Sequence, residues 1–176
     1  LHRRRHSFPT RRSSDLTSNL KTPKEALPAR IAELIDQLKS AERTIAQFQA
    51  AAVRERVPAL AASAVSVGST SAVIETVGQL DSVDALRQLV TEVRDRLGSV
   101  VGIVALGAEV DGKAAVIVAT TPDARTTGLS AGTLAKAAAA VLGGGGGGRD
   151  DIAQGGGSDP SLIGAALDDV RAALGR

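Results

Sequence analysis

Val100-Val101-Gly102-Ile103-Val104-Ala105-Leu106 and Ala114-Ala115-Val116-Ile117-Val118-Ala119-Thr120 decide the fold. Both runs are continuously apolar and rich in Val and Ile, the pattern of central strands buried on both faces. Between them stands Glu109-Val110-Asp111-Gly112-Lys113. Asp-Gly suits a tight two-residue turn, so the pair is expected to be an antiparallel hairpin.

Working outward, Ala72 to Val77 reads as a first strand. Asp81-Ser82 caps a helix with apolar positions Val83, Leu86, Val90, Val93 and Leu97, closed by Gly98. Its charged residues Arg87, Glu92, Arg94, Asp95 and Arg96 are expected to face elsewhere for the most part. Ser130 caps a helix through Leu134, Ala137, Ala138, Val141 and Leu142, and Asp159-Pro160 opens the last one, with Ile163, Ala166, Leu167, Val170 and Leu174 on its apolar side.

Farther upstream, Leu27, Ile31, Leu34, Leu38, Ala41, Ile45, Phe48 and Ala52 recur at spacings of four and three. That is a heptad seam, which predicts a coiled coil between copies or a helix packed on its own domain. Glu33 with Gln37 and Lys39 with Arg43 form its solvated face. Val57-Pro58 is expected to interrupt this helix, because the residue before proline is pushed away from the α region. A shorter helix through Leu60, Ala61, Ala64 and Val65 should then end at Gly68. The expected class is α/β, with a coiled-coil-like helical arm over 17–68 and a mixed-sheet α/β sandwich with a glycine-rich loop over 69–176. Residues 1–16, which contain Arg3, Arg4, Arg5, Arg11 and Arg12, show no helical or strand period. They resemble translated sequencing-adaptor read-through and are expected to be a disordered tail.

Composition narrows the chemistry. The 176 residues carry a formal net charge of +2. The first sixteen hold +4 of it, so the remainder is slightly acidic, and nucleic-acid affinity there has to come from a local patch. No cysteine is present, and both histidines, His2 and His6, lie in the tail. That removes Cys- or His-based metal sites, triads and acid–base pairs from the folded part, and no cofactor or metal is expected. The two aromatic residues are Phe8 and Phe48, so an aromatic platform for stacked bases is excluded from the α/β region. No apolar run is long enough to span a bilayer. A cytoplasmic location without membrane attachment is the expectation, and a chain beginning at Leu1 without methionine is read as part of a longer protein.

The most telling motif is Gly143-Gly144-Gly145-Gly146-Gly147-Gly148-Arg149-Asp150-Asp151-Ile152-Ala153-Gln154-Gly155-Gly156-Gly157. Glycine runs are ordinarily flexible linkers. Here an apolar helix leads directly in and a capped helix leads out, which points to a site. Glycines let a backbone come close to a ligand at a conformational cost. Arg149 could grip a phosphate through two parallel hydrogen bonds, or pair with Asp150 or Asp151. The two aspartates could in principle bind magnesium, although structural hydrogen bonds pinning the glycine segments suit sequence neighbours better. Gln154 fits that role as well, with a base or ribose contact as the sharper alternative. A P-loop or dinucleotide loop would follow a strand, and this run follows a helix.

The glycine–arginine–aspartate–glutamine–glycine pattern over Gly143–Gly157 resembles the signature near the C-terminus of alanyl-tRNA synthetases, in the domain they share with DHH-family phosphoesterases. The likeness extends over roughly residues 20 to 176. Many relatives have lysine where Gly145 stands, so a phosphate contact from that lysine does not carry over. The phosphoesterase branch has a histidine after its glycines, and this chain has none there. The resemblance implies a tRNA-binding segment near the tRNA elbow with no catalytic site of its own. Gly145, Gly146, Gly147, Gly148, Arg149, Asp151, Gln154, Gly155, Gly156 and Gly157 are its candidate contacts, and alanine tRNA is the partner it implies. The heptad spacing separately allows a homodimer through that helix as a second partnership. The alternatives are a structural dimerisation module and the C-terminal substrate-binding domain of a DHH-type phosphoesterase.

Overall fold

The structure is a computed structural model that describes Pro23 and residues 26–175. The expected tail, residues 1–16, lies outside the described residues. The chain divides into two compact units, residues 1–48 and 49–176.

The second unit is built outward from its central hairpin. Strands β3 (Gly102–Val110) and β4 (Lys113–Thr120) pair antiparallel from Ile103 opposite Thr120 to Val110 opposite Lys113. Asp111 (φ 50) and Gly112 (φ 72) supply the two left-handed residues that the turn needs. Along β4, Ala114, Val116 and Val118 enter one core cluster, and Ala115, Ile117 and Ala119 the other. The strand is covered on both faces, as its unbroken apolar run requires.

Strand β2 (Thr70–Gln79) lies parallel to β3 and reaches it through α2 (Val83–Leu97). Ser82 caps α2 by accepting a hydrogen bond from the Ala85 N–H at 3.1 Å, which satisfies one of the helix's orphan donors. Leu86, Leu89, Val90 and Val93 of α2 are fully buried, each contributing about 1.5–3 kcal/mol of apolar transfer. The sheet has six strands in the order β1-β2-β3-β4-β6-β5, with β1 (Val65–Val67), β5 (Gly146–Gly148) and β6 (Ile152–Gly157) all antiparallel to their neighbours. The single parallel pair makes it the mixed sheet expected.

Helices α4 (Ala131–Val141) and α5 (Ile163–Leu174) cover one face, and α2 with the last turns of α1 (Leu27–Ala62) the other. A short α3 (Pro122–Thr126) connects β4 to α4. Thr121 anchors that corner: its hydroxyl accepts from the Gly102 N–H at 3.0 Å and donates to the Val100 carbonyl at 2.6 Å. Gly107 lets α5 lie on the sheet, since a Cβ there would overlap Ile163 Cγ2.

Two local expectations are corrected. Pro58 does not break the arm; α1 runs through it without interruption to Ala62. Proline inside a helix forfeits one hydrogen bond and costs about 3 kcal/mol, yet Val57 is buried and Leu60 half-buried against the sheet, and Arg56 donates to the Val77 carbonyl at 2.7 Å. Tertiary packing outweighs the local preference. Nor does a second helix run to Gly68. Residues 65–67 form β1, and Gly68 (φ 61) is the turn between β1 and β2.

In the first unit, most of the seam of α1 stands open to solvent, with Leu27 and Leu34 half-buried. Ile31, Leu38, Ile45 and Phe48 are exposed, Phe48 by 73%. Glu33 takes both Arg30 (2.7 Å) and Gln37 (3.2 Å) on the polar side. No helix among the described residues is long and apolar enough to cross a membrane.

Candidate functional site

The second half of the glycine run, Gly146–Gly148, is a strand and not a loop. Gly146 pairs with Gly155, Gly147 with Gln154 and Gly148 with Ala153, so the two glycine segments form the β5–β6 hairpin, with β6 in turn laid along β4. Only Arg149-Asp150-Asp151 remains as the turn of that hairpin. The physical reason is α4, which lies so close that side chains have no room beneath it. A Cβ on Gly146 would stand 2.7 Å from the Ala135 carbonyl oxygen, and one on Gly155 2.8 Å from the same atom. At Gly157 it would overlap the Leu142 carbonyl and at Gly144 the Gly156 carbonyl. Gly146, Gly155 and Gly157 are demanded by helix–sheet packing, and Gly144 by its close approach to β6. Gly143 (φ 68) lets the chain leave α4.

The other face of the hairpin is different. A Cβ on Gly145 or Gly147 would meet nothing within 4 Å, and one on Gly156 would touch only the Ala114 carbonyl oxygen, at 3.0 Å. Neither Gly147 nor Gly156 has a positive φ, so conformation does not demand glycine at those two positions either. The result is a floor of bare peptide groups within a cavity of about 790 Å³. Its walls are Ala115 and Ile117 of β4, Val83 at the start of α2, and Asp111 with Lys113 at the β3–β4 turn.

The candidate residues therefore divide. Gly145, Gly146, Gly147, Gln154, Gly155, Gly156 and Gly157 line one cavity, whereas Gly148, Arg149 and Asp151 sit at the hairpin turn. Arg149 is 83% exposed, with Nε 3.2 Å from Asp151 Oδ1 and Nη2 donating to Asp151 Oδ2 at 3.3 Å. An exposed pair of this kind contributes about 0–1 kcal/mol, so the guanidinium can exchange the carboxylate for a phosphate at small cost. Arg125 borders the same shallow surface.

Asp150 holds the turn in place. Its carboxylate accepts from the Ser130 hydroxyl, and its carbonyl accepts from Thr120 Oγ1 and, at 3.1 Å, from the Ala131 N–H. The Thr120 N–H donates to the Asp151 carbonyl at 3.0 Å. These bonds tie the turn to β4 and α4, a structural role of the kind expected, although what they join is the turn and its neighbours.

Sequence reasoning missed Arg87, whose Nη2 donates to Gln154 Oε1 across 67 positions of chain. A signal was available: Arg87 lies one helical turn after Val83, which lines the cavity, so both occupy one face of α2. Lys113, on the rim, was passed over as a mere part of the turn.

The DHHA1 domain model matches residues 69–176. The chain is 59% identical over 161 residues to the alanine–tRNA ligase of Clavibacter sepedonicus, and 51% identical over 162 residues to that of Leifsonia xyli subsp. xyli. Both alignments cover 92% of this chain, which spans 18% of the length of each relative. In fold it is similar to the C-Ala domain from Aquifex aeolicus alanyl-tRNA synthetase, with a TM-score of 0.57 at 24% identity over 64% of this chain and 98% of that one.

Proposed function

The chain belongs to the DHHA1 domain family, and from that premise we propose that it is the tRNA-binding C-terminal part of a cytoplasmic alanine–tRNA ligase, with aminoacylation and editing performed elsewhere in the whole protein. One observation carries this reading. Gly145, Gly147 and Gly156 keep a sheet face bare where no neighbouring helix requires it. Exposed glycine in a strand weakens the strand, and a ligand that must come within contact distance of the backbone accounts for that cost.

The α/β domain over 69–176 engages RNA through two neighbouring features. Gly145, Gly146, Gly147, Gly155, Gly156, Gly157 and Gln154 offer the bare surface. Gly148 sets the turn, where Arg149 turns from Asp151 to a backbone phosphate with charge-assisted bonds. No aromatic stacking is involved. Of the arm expected over 17–68, the part up to Phe48 joins two copies through its open seam, which favours homodimerisation as a companion to tRNA binding.

The test is tRNA binding by a chain lacking residues 1–16, measured at two salt concentrations with the fold checked by circular dichroism. Arg149→Ala should weaken binding by about 1–3 kcal/mol, the scale of a hydrogen bond lost to a charged partner. Gly147→Val should weaken it at least as much by filling the cavity, with no strain at φ to confound the result. Folded Arg149→Ala that binds as well as the parent would return the hairpin to a purely structural role, leaving the dimerisation module as the function.

A further inference from the structure

Arg87 lies outside the residues that define the candidate site, yet it is bonded to one of them. Its guanidinium has donors and no acceptor, so the Gln154 atom turned toward it has to be the amide oxygen. Because the amide is planar, the Nε2 hydrogen trans to that oxygen is then directed away from Arg87. Gln154 stands on the open side of β6, between Ile117 of β4 and Gly147 of β5, and it lines the cavity. The base of the Arg87 side chain is well anchored, since its neighbours in α2, Leu86, Leu89 and Val90, are fully buried and Ser82 caps the helix.

We propose that Arg87 is a positioning residue of the RNA site: it holds the Gln154 oxygen so that the outward amide N–H is presented to the cavity as a donor. The ligand atom met there is a hydrogen-bond acceptor of the RNA, since a donor would face the amide hydrogen. This rests on the tRNA-binding reading above. It differs from a direct role for Arg87, in which the guanidinium would leave Gln154 for a phosphate.

The two roles separate by salt dependence. A residue that neutralises a phosphate adds about 0.7–0.9 to the slope of log affinity against log salt, and a residue acting through a neutral amide adds nothing. Binding of tRNA by the whole 176-residue chain is measured over a salt series for the parent, Arg87→Met, Gln154→Leu and the double variant. Arg87→Met should bind about three- to tenfold more weakly, the range of a neutral hydrogen bond, with an unchanged slope. The double variant should bind no more weakly than Gln154→Leu alone, as expected of two residues acting as one unit. A slope lowered by about 0.7–0.9, a further loss in the Gln154→Leu background, or parental binding by Arg87→Met each overturns the proposal.

A second measurement keeps it independent of the function. The side-chain amide signal of Gln154 in a ¹⁵N spectrum is identified by its loss in Gln154→Leu. Arg87→Met should shift it toward that of a free glutamine, and an unshifted signal overturns the clamp. A parent chain that binds no tRNA removes the functional reading, and the amide signal then decides whether Arg87 orients Gln154.

Discussion

Single methyl groups separate the two kinds of glycine in the hairpin. At Gly146 and Gly155 a Cβ would come within 2.7 and 2.8 Å of the Ala135 carbonyl oxygen, and a helix backbone cannot yield as a side chain can. Gly146→Ala and Gly155→Ala should each destabilise the domain by about 1–3 kcal/mol, the usual cost of overpacking. Gly145→Ala and Gly147→Ala, whose methyls enter open space, should stay within about 0.5 kcal/mol of the parent. Denaturant unfolding of the four variants is the check, and equal losses in all four would mean that α4 does not dictate the glycines. Asp159 offers a titration at the same scale. It accepts from the Ser161 N–H at 2.9 Å and the Ser161 hydroxyl at 2.6 Å, and these bonds hold its carboxyl below the ordinary value of 3.8. A lowered native pKa gives stability that is present above 3.8 and is lost as pH falls through the lowered value. Asp159→Asn keeps a capping oxygen but cannot titrate, so its stability should fall less steeply than the parent's in acid below 3.8. Identical acid profiles would show that this cap contributes nothing.

Among the elements, those with strong periodicity were legible. The β3–β4 hairpin, its Asp111-Gly112 turn, the Ser82, Ser130 and Asp159 caps and the apolar faces of α2, α4 and α5 all follow from local chemistry and spacing. Pro58 was not, because it depends on contacts distant in sequence, Val57 being buried with residues of β2 and α2. Residues 65–67 were not either, because a three-residue strand paired in a tight hairpin, Val65 opposite Ala72, is too short to show a period. Glycine defeated the pattern altogether, since strands without side chains carry no alternation to read. The open seam of α1 remains the element with an untested role. Leu38 is 60% exposed, and if the seam joins two copies, Leu34→Glu or Leu38→Glu should turn a dimer into a monomer while the α/β domain stays folded, because a charge in the seam must be desolvated. Sedimentation of the unaltered chain as a monomer at high concentration would reject the pairing.

At the scale of the whole molecule, α4 and α5 cover one face of the sheet out to its glycine edge, while α2 covers the other only as far as β4. The cavity is what that unequal coverage leaves over β6 and β5. Its residues come from the motif, from the β3–β4 turn and from α2, so the motif was legible in one dimension while Val83, Lys113 and Arg87 became neighbours only through the strand order β3-β4-β6-β5.

A floor made of peptide groups also changes what genetics can see. A survey that truncates residues to alanine asks what is lost when a side chain is removed, and here there is none to remove. On the helix side the added methyl destabilises the domain, so the variant is scored as a stability defect. On the cavity side it inserts an obstacle, and any loss measures obstruction instead of a missing contact. Recognition carried by backbone would thus leave Arg149, Gln154 and Arg87 as the visible hits, with the surface between them silent.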